Sequence, residues 1–426
     1  MNLFEQLYSN KYFYYFHFAL IFVSALFSVF GTTLVSPDTY GYINADIYRS
    51  LGYPFFVEIH ELLFGSHFMF AIKISQFLIF YFCLHYFFKT IKNILKLNDL
   101  SSILFFGILI IPVFYEQKLL NSILTESLSY SLYLLFIGLY SKGIQDKDNK
   151  KTYISYFILL NLLQVRSQFL FIIPVIIGIE LIINHKKVWN INTWKPIVIM
   201  CCIPIMSILI DFCYHSIKHD KNTTTPFTGI QIASLPFYVS KKQDYKIFEN
   251  KKQQEYFKLI YSKLEKRKLL INQIPDETFT KTDFYFANYT KIANQTLSGD
   301  GDAFFTNQPD LNDKTIANDK MSKSMVLPLI KNNFGAYFKI YFQNLTKGIG
   351  TSKQLLLYLI LLGYFLYNYN KKTSVIIVLM LLLLLANITL VTLAEHVISR
   401  YTFYNNWVLI VIILYLLQNN IKTHND

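Results

Sequence analysis

Charged residues are scarce in this chain. Of its 426 residues only 16% are charged, while 53% are hydrophobic and 17% are aromatic. Soluble domains contain roughly 25% charged residues, so the composition argues against a soluble protein of two or three domains. The chain instead carries long apolar runs, and apolar runs of about 20 residues are typical of membrane-spanning helices.

Cysteine is also scarce, and its positions exclude two kinds of site. Cys83, Cys201, Cys202 and Cys213 all lie inside apolar runs, and the long polar stretch of the chain has none. A disulfide framework or a zinc site would need cysteines at suitable spacing in polar sequence. The first apolar run lacks a small-residue cleavage site, so we interpret it as a span and not as a signal peptide.

Arginine is the rarest charged residue. Only Arg49, Arg166, Arg267 and Arg400 stand among the 40 basic residues, and the others are lysine. A net charge of +13 in a soluble protein would suggest a nucleic-acid partner. Here the lysines lie mostly in loops next to apolar runs, so we attribute the charge to membrane topology and predict no nucleic-acid partner.

Ten segments fit membrane-spanning helices by length and apolar content. They are 12–35, 67–91, 101–116, 122–141, 152–165, 168–184, 196–215, 353–369, 373–394 and 402–418. We therefore predict an all-α polytopic membrane protein with about ten transmembrane helices. It would have an N-terminal transmembrane module at 1–215, a mainly helical extracytoplasmic loop domain at 216–352 and a C-terminal transmembrane module at 353–426.

Two amphipathic stretches stand out within the predicted loop domain. Between Ile247 and Leu270 the spacing of Tyr256, Ile260 and Leu264 predicts a helix with one apolar face. A shorter amphipathic run extends from Met325 to Phe342.

The distribution of basic residues predicts the orientation. With the N-terminus inside, the cytoplasmic segments carry fourteen lysines and the short outward segments carry five basic residues. Cytoplasmic loops are enriched in Lys and Arg, so we predict both termini in the cytoplasm and the loop domain outside. Abundant Lys, Asn, Ile, Phe and Tyr resemble the codon bias of an AT-rich bacterium, which favours a bacterial inner membrane. The outward face would then be the periplasmic face, where we expect the active site.

Ionisable residues cluster on the predicted outer face, beginning just after the first span. Ser36, Pro37 and Asp38 are typical of a helix start, so we predict a helix over 38–50. One broad face of that helix would carry Asp38, Tyr42, Asp46 and Arg49. Gly52 and Pro54 would end it.

Three of the four arginines fall on this same predicted face. A planar guanidinium binds phosphate through two parallel donors, which a lysine cannot do. An anionic lipid headgroup is therefore the expected ligand. The residues that we predict to contact substrate here are Tyr42, Arg49, Glu126, Arg166, His396, Arg400 and Tyr401.

This arrangement resembles the GT-C superfamily of membrane glycosyltransferases, such as protein O-mannosyltransferases and lipid A aminoarabinose transferases. The first-loop match consists of Asp38, Tyr42, Ala45 and Gly52-Tyr53-Pro54. Later matches are Leu124-Thr125-Glu126-Ser127-Leu128 at the start of a span, Arg166 between paired spans and Ser399-Arg400-Tyr401 before the last span. The resemblance covers about 12–215 and 325–418 and leaves the central loop without a match.

The resemblance implies a sugar transfer from a polyprenyl-phosphate donor to a glycan, lipid or protein acceptor, with inversion at the anomeric carbon. Asp38 would be the catalytic base, with Asp46 as a second catalytic carboxylate and Arg49 orienting the base. Arg166 and Arg400 would hold the donor phosphate. Many family members have two adjacent acids in the first loop, whereas Asp38 is flanked by Pro37 and Thr39. We therefore assign no residue to a metal site and predict no definite cofactor. Whether a divalent metal ion assists the reaction stays open.

Each of these residues also has a purely structural interpretation. Asp38 could only start a helix, Asp46 and Arg49 could form a local ion pair, and Glu126 could cap its helix or pair with Lys118. Arg166, Arg400 and His396 could be ordinary interfacial residues. Two other functions stay open: a lipid-linked polysaccharide polymerase or ligase, and a transporter or flippase, although a transporter should carry charges near the bilayer midplane.

Overall fold

The computed structural model describes residues 10–115, 118–185, 191–274 and 279–425. Across these residues the chain is helical, without a β-strand, and an isolated parallel bridge joins Leu34 to Ser122. The predicted all-α class is confirmed.

The helices of the first half of the chain correspond to the predicted apolar segments and to the polar link after the first of them. They are α1 (Asn10–Phe30), α2 (Pro37–Ile43), α3 (Gly52–Phe64), α4 (Phe68–Leu95), α5 (Asp99–Phe114), α6 (Thr125–Asp146), α7 (Asn149–Val165), α8 (Ile172–Ile183) and α9 (Ile191–Lys218).

The second half adds the helices of the polar region and the C-terminal apolar helices. They are α10 (Thr228–Tyr238), α11 (Lys251–Lys266), α12 (Lys281–Thr290), α13 (Gly301–Phe304), α14 (Leu311–Asn332), α15 (Phe334–Ile349), α16 (Ser352–Tyr367), α17 (Lys372–Ala394), α18 (Ser399–Thr402) and α19 (Trp407–Asn425). A π-helical segment, Lys291–Asp300, joins α12 to α13.

Four helical stretches among the described residues are long and apolar enough to cross a membrane. They are Gly52–Leu95, Trp194–Lys218, Lys372–Ala394 and Ser399–Asn419. A fifth is added if α15 and α16, which meet at a bend of 75°, count as one span. Shorter apolar helices cover Tyr15–Phe30, Asp99–Phe114 and Ser167–Ile183. These helices give the chain the character of a helical membrane protein.

The chain divides into two compact units. The first contains the described residues up to Asp211, Leu359–Ala386 and the chain from Phe403 onward. The second contains Phe212–Tyr358 and Asn387–Thr402. The predicted loop domain at 216–352 lies inside the second unit, which also takes in residues 353–358 and 387–402 of the predicted C-terminal module.

The core of the first unit is built on α6, which packs against α4 and α7. The approach of α6 to α4 is close at Gly138, because a Cβ there would lie 3.2 Å from the Cα of Phe87. Large aromatic side chains fill the space around these helices, and several are fully buried: Phe80, Phe87, Tyr130, Tyr133, Tyr140, Tyr404 and Trp407. The unit is therefore a tightly packed helical body and not a loose set of spans.

The second unit has its own apolar core. Tyr256, Ile260 and Leu264 are buried on one face of α11, which confirms the helical spacing seen in the sequence. The other amphipathic run, Met325 to Phe342, is divided between α14 and α15 at Asn333. The core includes Phe237, Tyr238, Phe257, Tyr285, Leu297, Leu329 and Tyr337.

Candidate functional site

The segment after α1 is anchored to the start of α6 before it begins α2. Leu34 N donates to Asn121 O at 2.8 Å, and Ile123 N donates to Leu34 O at 3.2 Å. The Thr39 hydroxyl then donates to Ile123 O at 3.1 Å. Ser36 and Thr39 form a capping box at the N-terminus of α2. These bonds fix the first loop beside residues 121–126.

The predicted helix over 38–50 is wrong in length, because α2 ends at Ile43. Ala45 has a φ of +52°, Asp46 N donates to Gly41 O and Ala45 N donates to Tyr42 O. This is the hydrogen-bond pattern of a Schellman motif, which ends a helix with a left-handed residue. The sequence hid this ending because alanine stands where glycine is usual.

The chain turns back after α2, and this turn brings Arg49 onto Asp38. Arg49 Nη2 donates to Asp38 Oδ1 at 2.8 Å, and Arg49 Nη1 donates to the Tyr42 hydroxyl at 3.1 Å. The guanidinium carbon also lies 4.3 Å from the centroid of the Tyr42 ring. The side chain of Arg49 is 17% exposed and that of Asp38 is 37% exposed. Asp38 is therefore oriented by Arg49 and open to solvent.

Asp46 does not take part in this ion pair. The Tyr48 hydroxyl donates to Asp46 Oδ2 at 2.6 Å, so the local Asp46–Arg49 pair that the sequence left open is replaced by contacts with Tyr48 and Asp38. Gly41 makes room for both groups, since a Cβ there would lie 2.9 Å from Arg49 Nε and 3.1 Å from Asp46 Oδ2. Burial raises the pKa of Tyr48 to about 12, so this phenol stays a donor.

A second ion pair lies between α6 and the end of α7. Arg166 Nη1 donates to Glu126 Oε1 at 3.0 Å and to the Tyr404 hydroxyl at 3.1 Å. Glu126 is 3% exposed and Arg166 is 12% exposed. The Tyr404 hydroxyl also shares a 2.8 Å hydrogen bond with Ser129. Burying a charged pair is costly unless further hydrogen bonds satisfy it, and Tyr404 supplies one of these.

Tyr42 connects the two ion pairs. Its ring belongs to one buried apolar cluster with Ile123, Leu128 and Val165, which flank Glu126 and Arg166 in the chain. Burial raises the pKa of the Tyr42 phenol, and the charges of both ion pairs act on it. The phenol is therefore neutral at physiological pH.

The first loop is also tied to α7 directly. The Ser50 hydroxyl donates to Gln164 O at 2.9 Å, and a Cβ at Gly52 would lie 2.6 Å from Gln164 C. The ion pairs Asp38–Arg49 and Glu126–Arg166, with Tyr42 and Tyr404, form what we call the two-pair site. The structure thus brings together Asp38, Tyr42, Arg49, Glu126 and Arg166, with Asp46 alongside.

The remaining predicted residues, His396, Arg400 and Tyr401, belong to the second unit. His396 stacks on Tyr289 with ring centroids 4.2 Å apart and meets Phe286 edge-on. Burial lowers the pKa of His396 to about 4, so the imidazole is neutral at physiological pH. Arg400 lies on the short helix α18, and the Tyr401 carbonyl accepts a 3.1 Å hydrogen bond from Asn387.

Tyr404 and Tyr48 are contributors that sequence reasoning missed. Tyr404 follows Arg400 and Tyr401 closely, so the aromatic run Tyr401, Phe403 and Tyr404 before the last span was an available signal. Among the residues that the structure describes, no group of three or more His, Cys, Asp or Glu side chains could hold a metal ion. The chemistry available at the two-pair site is that of carboxylates, guanidiniums and phenols.

No protein-family model, curated protein or solved structure matches the chain. The similarity to GT-C glycosyltransferases therefore rests on the sequence motifs given above.

Proposed function

We propose that the chain is a membrane-embedded glycosyltransferase of GT-C type. It would transfer a sugar from a polyprenyl-phosphate donor to an extracytoplasmic glycan, lipid or protein acceptor in cell-envelope synthesis. The observation that supports this most is the two-pair site, in which two carboxylate–guanidinium pairs flank a buried phenol beside apolar helices. Ionisable groups near a bilayer are costly and commonly functional.

Asp38 is the general base in this proposal. Its carboxylate takes the proton of the acceptor hydroxyl while the hydroxyl oxygen forms a bond to the anomeric carbon of the sugar. The bond from that carbon to the phosphate oxygen breaks, and its electron pair leaves with the phosphate. Attack opposite the leaving group inverts the anomeric centre. The 37% exposure of Asp38 leaves room for an acceptor, and Arg49 orients the carboxylate.

Arg166 is the proposed phosphate ligand. Glu126 and Tyr404 hold its guanidinium in one orientation, and preorganised donors stabilise developing charge without reorganisation during the reaction. Arg400 stays a prediction from the sequence for a second phosphate ligand, and Asp46 for a second carboxylate.

The proposal includes ten membrane spans in a bacterial inner membrane, with cytoplasmic termini and the two-pair site on the periplasmic side. Each of the ten predicted segments falls on a described helix. Helices such as α6 are less apolar than a lone span because they carry serines, tyrosines and a glutamate. Their neighbours in the helical body cover these side chains, so they need less apolar sequence than a lone span.

The decisive test is binding and transfer of a radiolabelled polyprenyl-phosphate sugar by the purified protein in detergent. Arg166→Lys keeps the charge but loses two-pronged phosphate binding. We expect it to weaken donor binding or turnover about ten-fold or more, given ~1.5–3 kcal/mol for a charged hydrogen bond. Arg400→Lys tests the sequence prediction for that residue separately.

Arg267→Lys is the matched control. Arg267 donates to Thr296 and Asp300 within the second unit and has no proposed contact with the donor. Equal donor binding by the wild type, Arg166→Lys and Arg267→Lys would remove the phosphate-clamp assignment. Absence of donor binding by the wild type would remove the glycosyltransferase proposal, and binding without transfer would favour a flippase.

A further inference from the structure

Helix α15 presents two different apolar faces. One is buried against the core of the second unit through Tyr337 and Ile340. The other carries Phe334, Phe338 and Phe342, which repeat every four residues and so lie on one side of the helix. These three side chains are 60%, 50% and 46% exposed. We call them the phenylalanine stripe.

The rings of the stripe form a continuous surface. The centroids of Phe334 and Phe338 are 5.7 Å apart, and those of Phe338 and Phe342 are 6.4 Å apart. The exposed residue Lys339 lies about 100° around the helix from Phe338, so a basic side chain stands beside the aromatic surface. A continuous exposed apolar surface of this kind marks an interaction site.

The position of α15 along the membrane normal is set by its neighbours in the chain. It bends by 75° into α16 through Gly350, whose φ is +110°. The buried residue Asn344 of α15 is bonded to the segment that follows α17. Asn344 Nδ2 donates to Glu395 O at 3.2 Å, and Asn344 Oδ1 accepts from Val397 N at 3.3 Å. Glu395 directly follows α17, one of the four helices that are long enough to span. Helix α15 therefore lies where one apolar helix begins and another ends.

We propose that α15 is an interfacial helix that lies in the plane of the membrane and inserts the phenylalanine stripe into the lipid. Helix α16 falls on the predicted span 353–369, and a helix at 75° to such a span is nearly parallel to the bilayer surface. The lipid is favoured over a protein partner because the exposed apolar side chains continue into the start of α16, where Leu356 and Leu357 are also exposed. Aromatic rings and flanking lysines are enriched at this depth. The helix thereby fixes the second unit against the bilayer.

Site-directed spin labelling of the full chain in lipid nanodiscs tests this. The four native cysteines are first replaced by alanine, and a nitroxide is attached at Phe334→Cys, Phe338→Cys or Phe342→Cys. Matched controls are Ala336→Cys and Lys339→Cys, two exposed positions on the other sides of the same helix. Collision rates with oxygen, which partitions into lipid, and with a water-soluble nickel chelate are then compared. Nanodiscs contain phosphatidylethanolamine and phosphatidylglycerol.

We expect oxygen to dominate at the stripe and the nickel chelate to dominate at the controls, with ratios that differ several-fold. Comparable nickel access at all five positions would show that the stripe faces water and would overturn the proposal. Protection of the stripe from both reagents would indicate a protein or a second copy in place of lipid. Lipid exposure at the controls as well would indicate a re-entrant helix, which also contradicts it.

A second measurement does not depend on labelling. Tryptophan at position 338, introduced as Phe338→Trp with the three native tryptophans replaced by phenylalanine, should be quenched by lipids brominated near the headgroup more than by lipids brominated at the chain end. Equal or absent quenching by both lipids would contradict an interfacial position.

Discussion

The two units solve the problem of a buried polar cluster in opposite ways. In the second unit Asn318 donates to Leu297 O at 2.8 Å and to Asp302 Oδ1 at 2.7 Å, and its own carbonyl accepts from Tyr256 at 2.6 Å. Asn318 itself is fully buried. In the two-pair site of the first unit, by contrast, the side chain of Asp38 is 37% exposed although its partner Arg49 is largely buried. Arg49 Nε is buried without a hydrogen-bond partner there.

The difference teaches how to separate polar groups that build the fold from polar groups that are available to a ligand. A closed network satisfies its members and resists change, because removing one partner leaves the others unpaired in a low-dielectric core. In an ion pair that is partly exposed, such as Asp38–Arg49, the exposed carboxylate is accessible to a ligand. Mutations should therefore affect stability at Asn318 and activity at Asp38.

Asp38→Asn gives the largest expected effect. The amide keeps the shape of the carboxylate but cannot accept the proton of an acceptor hydroxyl. General-base catalysis is worth about 100- to 10,000-fold, so transfer should fall by that factor while donor binding is retained. A single-turnover assay with labelled donor measures it. Asp46→Asn, beside it in the same loop, is the companion variant, and near-normal turnover in Asp38→Asn would move the base to Asp46.

Asn318→Leu should act in the opposite sense, on stability. It removes the amide donor to Asp302 Oδ1 and to the Leu297 carbonyl, so that among the described residues Asp302 keeps only the Thr315 hydroxyl. An unpaired buried polar group costs about 1–3 kcal/mol. We expect a loss of about 3 kcal/mol in the free energy of unfolding of the second unit, measured by chemical denaturation. Asn288→Leu is the control, because the Asn288 amide donates to Phe284 O within its own helix. Similar losses in both variants would refute the closed-network interpretation.

The sequence predicted the class of the fold and the main partners of the site, but not how they meet. Apolar runs located the helices, and the spacing of Tyr256, Ile260 and Leu264 identified a buried face. Asp38 and Arg49 were assigned to one helical face, yet they meet through a Schellman motif with an alanine in its left-handed position. The Arg166–Tyr404 contact joins distant parts of the chain, and no local pattern encodes such a pairing.

The smallest effect concerns pH and His396. Burial holds the pKa of His396 near 4, below the ordinary value of about 6.5. The unfolded chain therefore binds more protons than the folded chain between these values, so stability is full above pH 6.5 and falls as the pH is lowered to 4. The slope is at most about 1.4 kcal/mol per pH unit.

Thermal unfolding of the wild type and His396→Phe across this range measures that slope. The carboxyl groups titrate in both proteins. The difference between the two pH profiles of stability therefore isolates the contribution of the His396 imidazole. The phenylalanine variant should keep the ring stacking on Tyr289 and lose this part of the acid sensitivity. Parallel pH profiles for the two proteins would show that His396 does not titrate in a buried state.

The contact between Arg166 and Tyr404 also has a consequence for biosynthesis. The two residues are 238 positions apart in the chain, and Tyr404 lies just before the last helix. Since chains are made from the N-terminus and domains fold in that order, Asp38, Glu126 and Arg166 are synthesised long before their last partner. A nascent or truncated chain that stops before residue 404 carries the carboxylates and the arginines but leaves Arg166 without its phenol. The two-pair site is therefore complete only after residue 404 has been made, so its assembly depends on two distant parts of the chain.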